Sequence, residues 1–437
     1  MNKTQAHEFE PPSEPPSKLA EVLTPALELF KPAARLAAVR REPQPLGDAS
    51  RAFRDRHFPG APDAAWNDWH WQLRNRFLSA EALSRVLDLT EDERLAMSPG
   101  FGRLPVAVTP YYASLINAAD LHDPIRRCVT PSTAELTMHA NESADPLGEE
   151  HDSPVPGLVH RYPDRVLFLT TDFCSTYCRY CTRSRRVGKT PTATAKRKHW
   201  DAALAYIAAN PQVRDVLLSG GDPLTMPDAA IEYLLARLRA IPHVEMIRLG
   251  TKVPVVLPQR VTPALTRMLK RYHPLFMSIH CTHPAEITPE MRQACGRLAD
   301  AGIPLGSQTV LLAGVNDDPA IMLRLMRGLL TCRIRPYYLY QCDEVAGMAH
   351  FRTPLQSGID VIRALRGHTS GYAVPHFVVD LPGGGGKTPV LPEYLKGKDG
   401  DDLVFENYEG KTYRTFDPPA PGASAPVCPK DMPGGLQ

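Results

Sequence analysis

From Val166 onward, short apolar runs alternate with amphipathic stretches of helical period, and this alternation restricts the chain to few folds. The predicted strands are Val166–Thr170, Val213–Ser219, Val244–Gly250, Leu275–His280, Leu305–Leu312 and Arg335–Gln341. Helices are predicted between them, near Trp200–Ala209, Asp228–Ala240, Pro263–Tyr272, Pro289–Ala301 and Pro319–Thr331. Regular βα alternation builds a parallel sheet with helices outside it, and right-handed crossovers curl that sheet. The expected fold class is therefore α/β, as a partial (β/α)6 barrel rather than a closed ring of eight units.

In such a barrel the residues just past the C-terminal ends of the strands share one mouth. There the sequence places Cys174-Ser-Thr-Tyr-Cys178-Arg-Tyr-Cys181 after the first strand and Ser219-Gly220-Gly221-Asp222 after the second. His280 ends the fourth, and Cys342-Asp343 follows the sixth. Three thiolates at C-x3-C-x2-C spacing can ligate three irons of a cubane cluster and leave the fourth iron open for chemistry. Tetrahedral zinc uses similar spacings, but a closed zinc site needs a fourth Cys or His, and the nearest, His160, lies on the far side of the strand. The glycines of Ser219-Gly-Gly would let backbone approach a ligand closely; they also describe an ordinary turn.

Asp380-Leu-Pro-Gly-Gly-Gly-Gly-Lys387 ends a glycine run on one lysine, after the apolar Phe377-Val-Val379. Such a run can cradle a phosphate, with the lysine as a phosphate-binding ammonium or a Schiff-base amine; a plain glycine linker is the alternative. A P-loop is excluded, because its spacing would put the first glycine at Leu381. Arg161 and Arg165 could hold a phosphate by charge-assisted hydrogen bonds. Asp343 and Asp380 each follow an apolar strand. Facing one pocket they would select an ammonium or guanidinium group; otherwise they are solvated or helix-capping aspartates.

With 43% apolar residues, 22% charged residues and a formal charge of +2 over 437 residues, there is no electrostatic case for nucleic acid or an acidic membrane. The N-terminus lacks a basic-then-apolar signal and no window holds eighteen apolar residues, so a cytoplasmic location is expected. Cys128, Cys281, Cys295, Cys332, Cys342 and Cys428 are scattered, which suits buried or free thiols in a reducing compartment. The expected organisation is a disordered Pro-rich tail over 1–45, an N-terminal helical region over 46–150, the barrel with its site over 151–390, and a C-terminal extension over 391–437. In the helical region, Ser79 opens a predicted helix over Ala80–Leu89, and Thr90-Glu-Asp-Glu93 reads as a capping box. Trp66 and Trp69 form an i, i+3 stripe packed on the body of the protein.

Taken together, these residues resemble the lysine 2,3-aminomutase family of radical S-adenosylmethionine enzymes, from about Trp66 to Tyr408-Glu-Gly410. The likeness is densest in Asp152–Arg165, in the cysteine cluster with Cys181-Thr-Arg183, in Val213–Asp222, and from Tyr340-Gln-Cys-Asp343 through Asp380 to Lys387. It decides for iron–sulfur over zinc. The resemblance implies that Cys174, Cys178 and Cys181 ligate a [4Fe–4S] cluster whose open iron chelates S-adenosylmethionine. Ser219, Gly220, Gly221, His280 and Gln308 would line that cofactor's site. Lys387 would be the catalytic lysine, carrying pyridoxal 5′-phosphate as a Schiff base, with Arg161 and Arg165 near the phosphate. Arg183 would pair with the substrate carboxylate, and Asp343 and Asp380 with its distant ammonium.

The implied activity is that of an isomerase that interconverts L-lysine and β-lysine (3,6-diaminohexanoate) by moving the amino group between C2 and C3. Implied partners are an electron donor such as flavodoxin or ferredoxin and further copies of the chain, as a homodimer or homotetramer; no nucleic acid or membrane partner is expected. Arginine 2,3-aminomutase and the lysine mutase of elongation factor P modification are the neighbouring activities. Glutamate is disfavoured by the two aspartates, and a non-catalytic cluster-containing binding protein is disfavoured by Lys387. Some family members bind zinc through a cysteine-rich tail. Here the tail holds only Cys428, and Asp318 stands after Asn316-Asp317, so that site is not expected.

Overall fold

Side-chain alternation along each strand decides the architecture. In Asp215–Gly220, Val216 and Leu218 are fully buried against the helices, while Asp215, Leu217 and Ser219 face the opposite side and line a cavity. The same period of two repeats in Met246–Thr251, where Ile247 and Leu249 are buried in the core and Met246 and Arg248 line the cavity. The core therefore lies between sheet and helices, where each fully buried aliphatic or aromatic side chain contributes roughly 1.5–3 kcal/mol. The lumen is lined by both kinds of side chain, with Leu217, Met246 and Met277 beside Asp215, Arg248 and Ser219.

The computed structural model describes residues 46–98, 104–188 and 193–418, all within one compact unit spanning 44–437. Its main sheet has nine strands in sequential order: β1 Leu158–Tyr162, β2 Arg165–Thr171, β3 Asp215–Gly220, β4 Met246–Thr251, β5 Leu275–His280, β6 Leu305–Leu311, β7 Ile334–Gln341, β8 His376–Leu381 and β9 Gly386–Pro389. Strands β2 to β8 are parallel, and β1 and β9 add antiparallel edges. The edges approach each other, because the Lys387 backbone N–H of β9 donates to Tyr162 Oη of β1 at 2.9 Å. The expected partial barrel is thus present and nearly closed. A separate three-stranded antiparallel sheet, β10 Leu395–Asp399, β11 Asp402–Glu406 and β12 Thr412–Phe416, follows it.

Helix starts agree with the sequence reading where the chain carries an N-cap followed by proline. Thr262, Thr288 and Asp318 cap the helices Pro263–Leu269, Pro289–Asp300 and Pro319–Thr331, each side chain accepting a backbone N–H of the first turn. The six strands expected from periodicity are present, but the parallel sheet gains a seventh, β8, and a further helix, Leu355–Leu365. The apolar run 377–379 is too short to announce itself as a strand; pairing with β7 makes it one.

Of three expectations in the helical region, one is met and two need correction. The Thr90 capping box is formed with Glu93. The helix opened by Ser79 ends at Leu83 rather than Leu89, because the following residues continue as turns. Trp66 and Trp69 lie on two separate short helices. Trp66 is fully buried beside Trp71, with ring centroids 5.6 Å apart, whereas Trp69 lies under the Arg260 guanidinium at 4.6 Å. This region docks on the loops past β4 and β5. Tyr112 Oη donates to Glu286 at 2.5 Å, Thr109 Oγ1 donates to the Val256 carbonyl at 2.7 Å, and the Tyr111 and Thr288 hydroxyls meet at 2.6 Å.

Cys128, Cys281, Cys295, Cys332 and Cys342 are free and buried, as expected. The expected tail over 1–45, and Cys428 with the last nineteen residues, lie outside the described residues. Among the described residues no helix is long and apolar enough to cross a membrane.

Candidate active site

The lumen holds a cavity of about 1110 Å³ that runs from the N-terminal strand ends, at Asp215, Met246 and Arg335, to the mouth at Ser219, His280, Asp343, Asp380 and Lys387. Arg161, Arg165, Arg183 and Gln308 line it as well. Nine of the expected site residues therefore share one volume.

The cysteine loop crosses this mouth and is clamped on several sides. Backbone N–H groups of Tyr177 and Arg179 donate to the Ala107 and Cys128 carbonyls at 2.9 and 2.8 Å, and Arg76 Nη1 donates to the Cys174 carbonyl at 3.1 Å. Burial pushes the Cys174, Cys178 and Cys181 thiols up, Cys181 to about 11; Asp222 and the neighbouring sulfurs add to the shift at Cys174, and Cys178 adds to that at Cys181. Such thiols ionise only when a cation takes up the charge, which is the chemistry of metal ligands. Among the described residues no group of three or more His, Cys, Asp or Glu closes to the spacing of a single metal ion. Ligands of a cubane sit on different irons and stand farther apart. His160 bonds Tyr206 Oη at 2.8 Å instead of joining the thiols.

Behind this loop, Gly220 and Gly221 let two backbone segments meet. A Cβ on Gly220 would stand 2.3 Å from the Thr171 carbonyl oxygen, and one on Gly221 2.4 Å from that of Phe173. Gly220 also has φ +115°. The glycines let the strand end lie directly on the backbone leading into Cys174, and Asp222 N–H donates to Phe173 O at 2.9 Å. The Asp222 carboxylate accepts from Thr251 Oγ1 at 2.6 Å and from the N–H groups of Lys252, Val253 and Leu224 at 2.7, 3.0 and 3.1 Å. Burial raises its pKa against these donors. His280 is buried beside Lys252 and Arg183, which lowers it to about 4, so its imidazole is neutral. Gln308 Nε2 donates to Tyr340 Oη at 3.1 Å.

Across the cavity, the β8–β9 hairpin registers Asp380 opposite Lys387, and Lys387 Nζ pairs with Asp380 at 3.0 Å. The glycine run is an ordered turn here, with Gly383 N–H donating to the Pro146 carbonyl at 2.9 Å. Tyr340 lies beneath, its ring centroid 5.6 Å from Nζ. Asp343 accepts from Thr182 Oγ1 at 2.8 Å; burial lifts its carboxyl to about 6, with Asp380 adding to the shift. Arg161 Nε donates to Asp152 at 2.8 Å, and Arg165 lies over the Tyr162 ring at 4.1 Å.

Two family profiles match the chain, one described as Radical SAM superfamily over residues 168–326 and one described as Lysine-2,3-aminomutase over 362–426. An L-lysine 2,3-aminomutase of Acetoanaerobium sticklandii is 53% identical over 84% of this chain and 88% of that protein. One of Clostridium subterminale is 52% identical over 85% and 89%. A glutamate 2,3-aminomutase of Clostridioides difficile is 42% identical over 81% and 84%. The chain belongs to the lysine 2,3-aminomutase family. It is a radical S-adenosylmethionine enzyme and an isomerase, and the superfamily brings a [4Fe–4S] cluster and S-adenosylmethionine.

Several residues of this aminomutase site escaped the sequence reading. Glu149, 5% exposed at its side chain, holds Arg183 through Nε and Nη2 at 3.0 and 2.7 Å and also receives Arg185 at 3.2 Å. Nothing in its sequence neighbourhood marks it. Lys252 and Glu286 form a buried pair at 2.6 Å past β4 and β5. The strand-end rule that found His280 points to Lys252 too, since Thr251 ends β4.

Proposed function

We propose that this aminomutase interconverts L-lysine and β-lysine and does so with pyridoxal 5′-phosphate attached to Lys387. The observation that carries the reading is that Asp343 and Asp380 line the same cavity as Lys387 and Arg183. Asp380 already accepts a primary ammonium, that of Lys387, at 3.0 Å. Two carboxylates in one cavity favour a cationic side chain and oppose the carboxylate of glutamate.

Cys174, Cys178 and Cys181 would hold the cluster, with Ser219, His280 and Gln308 beside S-adenosylmethionine. Lys387, Arg161 and Arg165 would hold pyridoxal phosphate. When bound, the cluster with S-adenosylmethionine supplies a carbon radical that removes a hydrogen atom, and pyridoxal phosphate supplies a conjugated system that spreads an unpaired electron next to the migrating nitrogen. The chain's residues do the positioning. Arg183, fixed on one side by Glu149, offers its remaining Nη1 to the substrate carboxylate. Asp343 and Asp380 hold the far ammonium, so both ends of the substrate are fixed before a hydrogen atom leaves. Neutral His280 donates or accepts a hydrogen bond without adding charge near the cluster. The barrel walls keep reactive carbon away from other partners. The electron comes from a protein such as flavodoxin or ferredoxin.

The test is product analysis with the anaerobically reconstituted protein, both cofactors, a strong reductant, and L-lysine, L-arginine or L-glutamate in parallel. β-Lysine formed only when both cofactors are present is the expected result. β-Arginine or β-glutamate as the main product overturns the substrate assignment, and β-lysine without pyridoxal phosphate overturns the cofactor.

A further inference from the structure

Glu149 belongs to a segment, residues 143–152, that contains turns and one isolated bridge but no helix or strand, and that touches several parts of the site. It begins on the backbone past Asp343, where Ser143 N–H donates to the Glu344 carbonyl at 2.9 Å and Ala346 N–H to the Ser143 carbonyl at 3.0 Å. Its middle meets the glycine turn ahead of Lys387. Gly383 N–H donates to the Pro146 carbonyl at 2.9 Å, and a Cβ on Gly148 would stand 3.5 Å from the Gly383 carbonyl carbon. Arg161 ties the far side, donating to the Leu147 carbonyl and, through Nε, to Asp152 at 2.8 Å.

Between these anchors Glu149 is turned inward. Its Oε1 accepts from Arg183 Nε and Nη2 at 3.0 and 2.7 Å, and its Oε2 from Arg185 Nη2 at 3.2 Å. Asp145 stiffens the turn, because its carboxylate accepts the N–H groups of Glu149 and Glu150 at 3.1 and 2.9 Å and meets Arg185 Nη2 at 3.0 Å. Burial pushes the Glu149 carboxyl up, but Arg183 and Arg185 bring it below its ordinary value, so it is ionised. Arg183 is thereby held along one edge. Among the described residues, its Nη1 makes no hydrogen bond to the chain.

A buried ion pair contributes little to stability over apolar packing, so its contribution is sought in geometry. In an α-amino acid the carboxylate and the amino nitrogen leave the same carbon, and groups that hold one and the other must keep a fixed separation. Arg183 follows the cysteine loop past β2, whereas Lys387 lies in β9, and these strands are not neighbours in the sheet. The segment touches both sides.

We infer that residues 143–152 form one positioning element for the carboxylate seat and the Lys387 turn, with Glu149 as the positioning residue that sets Arg183 relative to Lys387. The inference rests on the proposed function, in which Arg183 receives the substrate carboxylate and Lys387 carries the cofactor. It adds what keeps the two at a fixed separation.

The experiment uses full-length reconstituted protein loaded with pyridoxal 5′-phosphate: wild type, Arg183→Gln, Glu149→Gln and Gly148→Ala. Two ligands are titrated against its visible absorbance, L-lysine and 1,5-diaminopentane, which has both amino groups but no carboxylate. Cofactor affinity is read from the same absorbance. Glu149→Gln keeps the size and removes the charge, so it should weaken lysine about tenfold and leave 1,5-diaminopentane and the cofactor near wild type. Gly148→Ala alters neither Arg183 nor Lys387. Its Cβ would sit on backbone at φ +66° facing the Gly383 turn, so lysine and cofactor should both weaken, each by about threefold or more.

Wild-type lysine affinity in Glu149→Gln, or equal losses for lysine and 1,5-diaminopentane, overturns the role of Glu149. Gly148→Ala that leaves either affinity untouched overturns the shared element; if that variant does not fold, Glu149→Gln decides. Failure of the proposed function reads out separately and takes the inference with it. No visible absorbance in the wild type removes the cofactor from Lys387, and wild-type lysine affinity in Arg183→Gln removes the carboxylate from Arg183.

Discussion

The two sides of the cavity mouth handle charge in opposite ways. On the cysteine side, Asp222 and Glu286 are 5% and 0% exposed, and every carboxylate oxygen is taken by donors that belong to the fold. On the lysine side, among the described residues, Asp380 has one ammonium partner, Lys387, whose side chain is 33% exposed, and Asp343 has one hydroxyl partner. Permanent partners make a rigid frame for a cofactor that must not shift. Replaceable partners leave a seat open to exchange: under the proposed function a substrate ammonium would substitute for Lys387 on Asp380 once that lysine is engaged elsewhere.

Three substitutions or titrations probe this contrast. Lys387→Ala should show the largest effect, cutting turnover by roughly 10³-fold or more and abolishing the visible absorbance of bound pyridoxal phosphate. Its unfolding midpoint should stay near wild type, because the lysine side is exchangeable. A large loss of stability would show that Lys387 belongs to the frame instead.

Gly221→Ala attacks the frame. Its Cβ would meet Phe173 backbone atoms at 2.4 to 2.7 Å, so the backbone entering Cys174 must move, at a cost of about 1–3 kcal/mol. Iron content after reconstitution should fall well below wild type while circular dichroism stays native. Full iron loading would mean that the cysteine loop is more compliant than its hydrogen bonds imply.

The smallest effect is the pH dependence of Asp343. Its carboxyl is raised by burial, from an ordinary 3.8 to about 6 in the fold. A raised carboxyl contributes stability that is present below the unfolded value and lost as pH rises through about 6, so Asp343 slightly weakens the fold at neutral pH. Binding has the opposite sign, because only the ionised form holds an ammonium. KM for lysine should therefore rise as pH falls below about 6, approaching tenfold per unit, and Asp343→Asn should flatten that limb. An unchanged pH profile in that variant would remove Asp343 from the ammonium seat.

The local signals in the sequence carried far, and they failed for identifiable reasons. The helices predicted from Pro263, Pro289 and Pro319 start there because the caps Thr262, Thr288 and Asp318 act within a few residues. The strand β8 was missed because its apolar stretch is short and its identity as a strand depends on β7. Glu149 was missed because its partner Arg183 is thirty-four residues away and reaches it only through the fold.

By itself the sequence determined the βα alternation, the cysteine spacing and the strand-end position of Asp343, since each follows from spacing along the chain. Only the tertiary structure decided which charges are paired permanently and which remain exchangeable. That choice depends on the donors each buried carboxylate meets. Around Glu286 the donors of Thr282 and His283 are local, but Tyr112 and Lys252 reach it only through the barrel and its docked helical region.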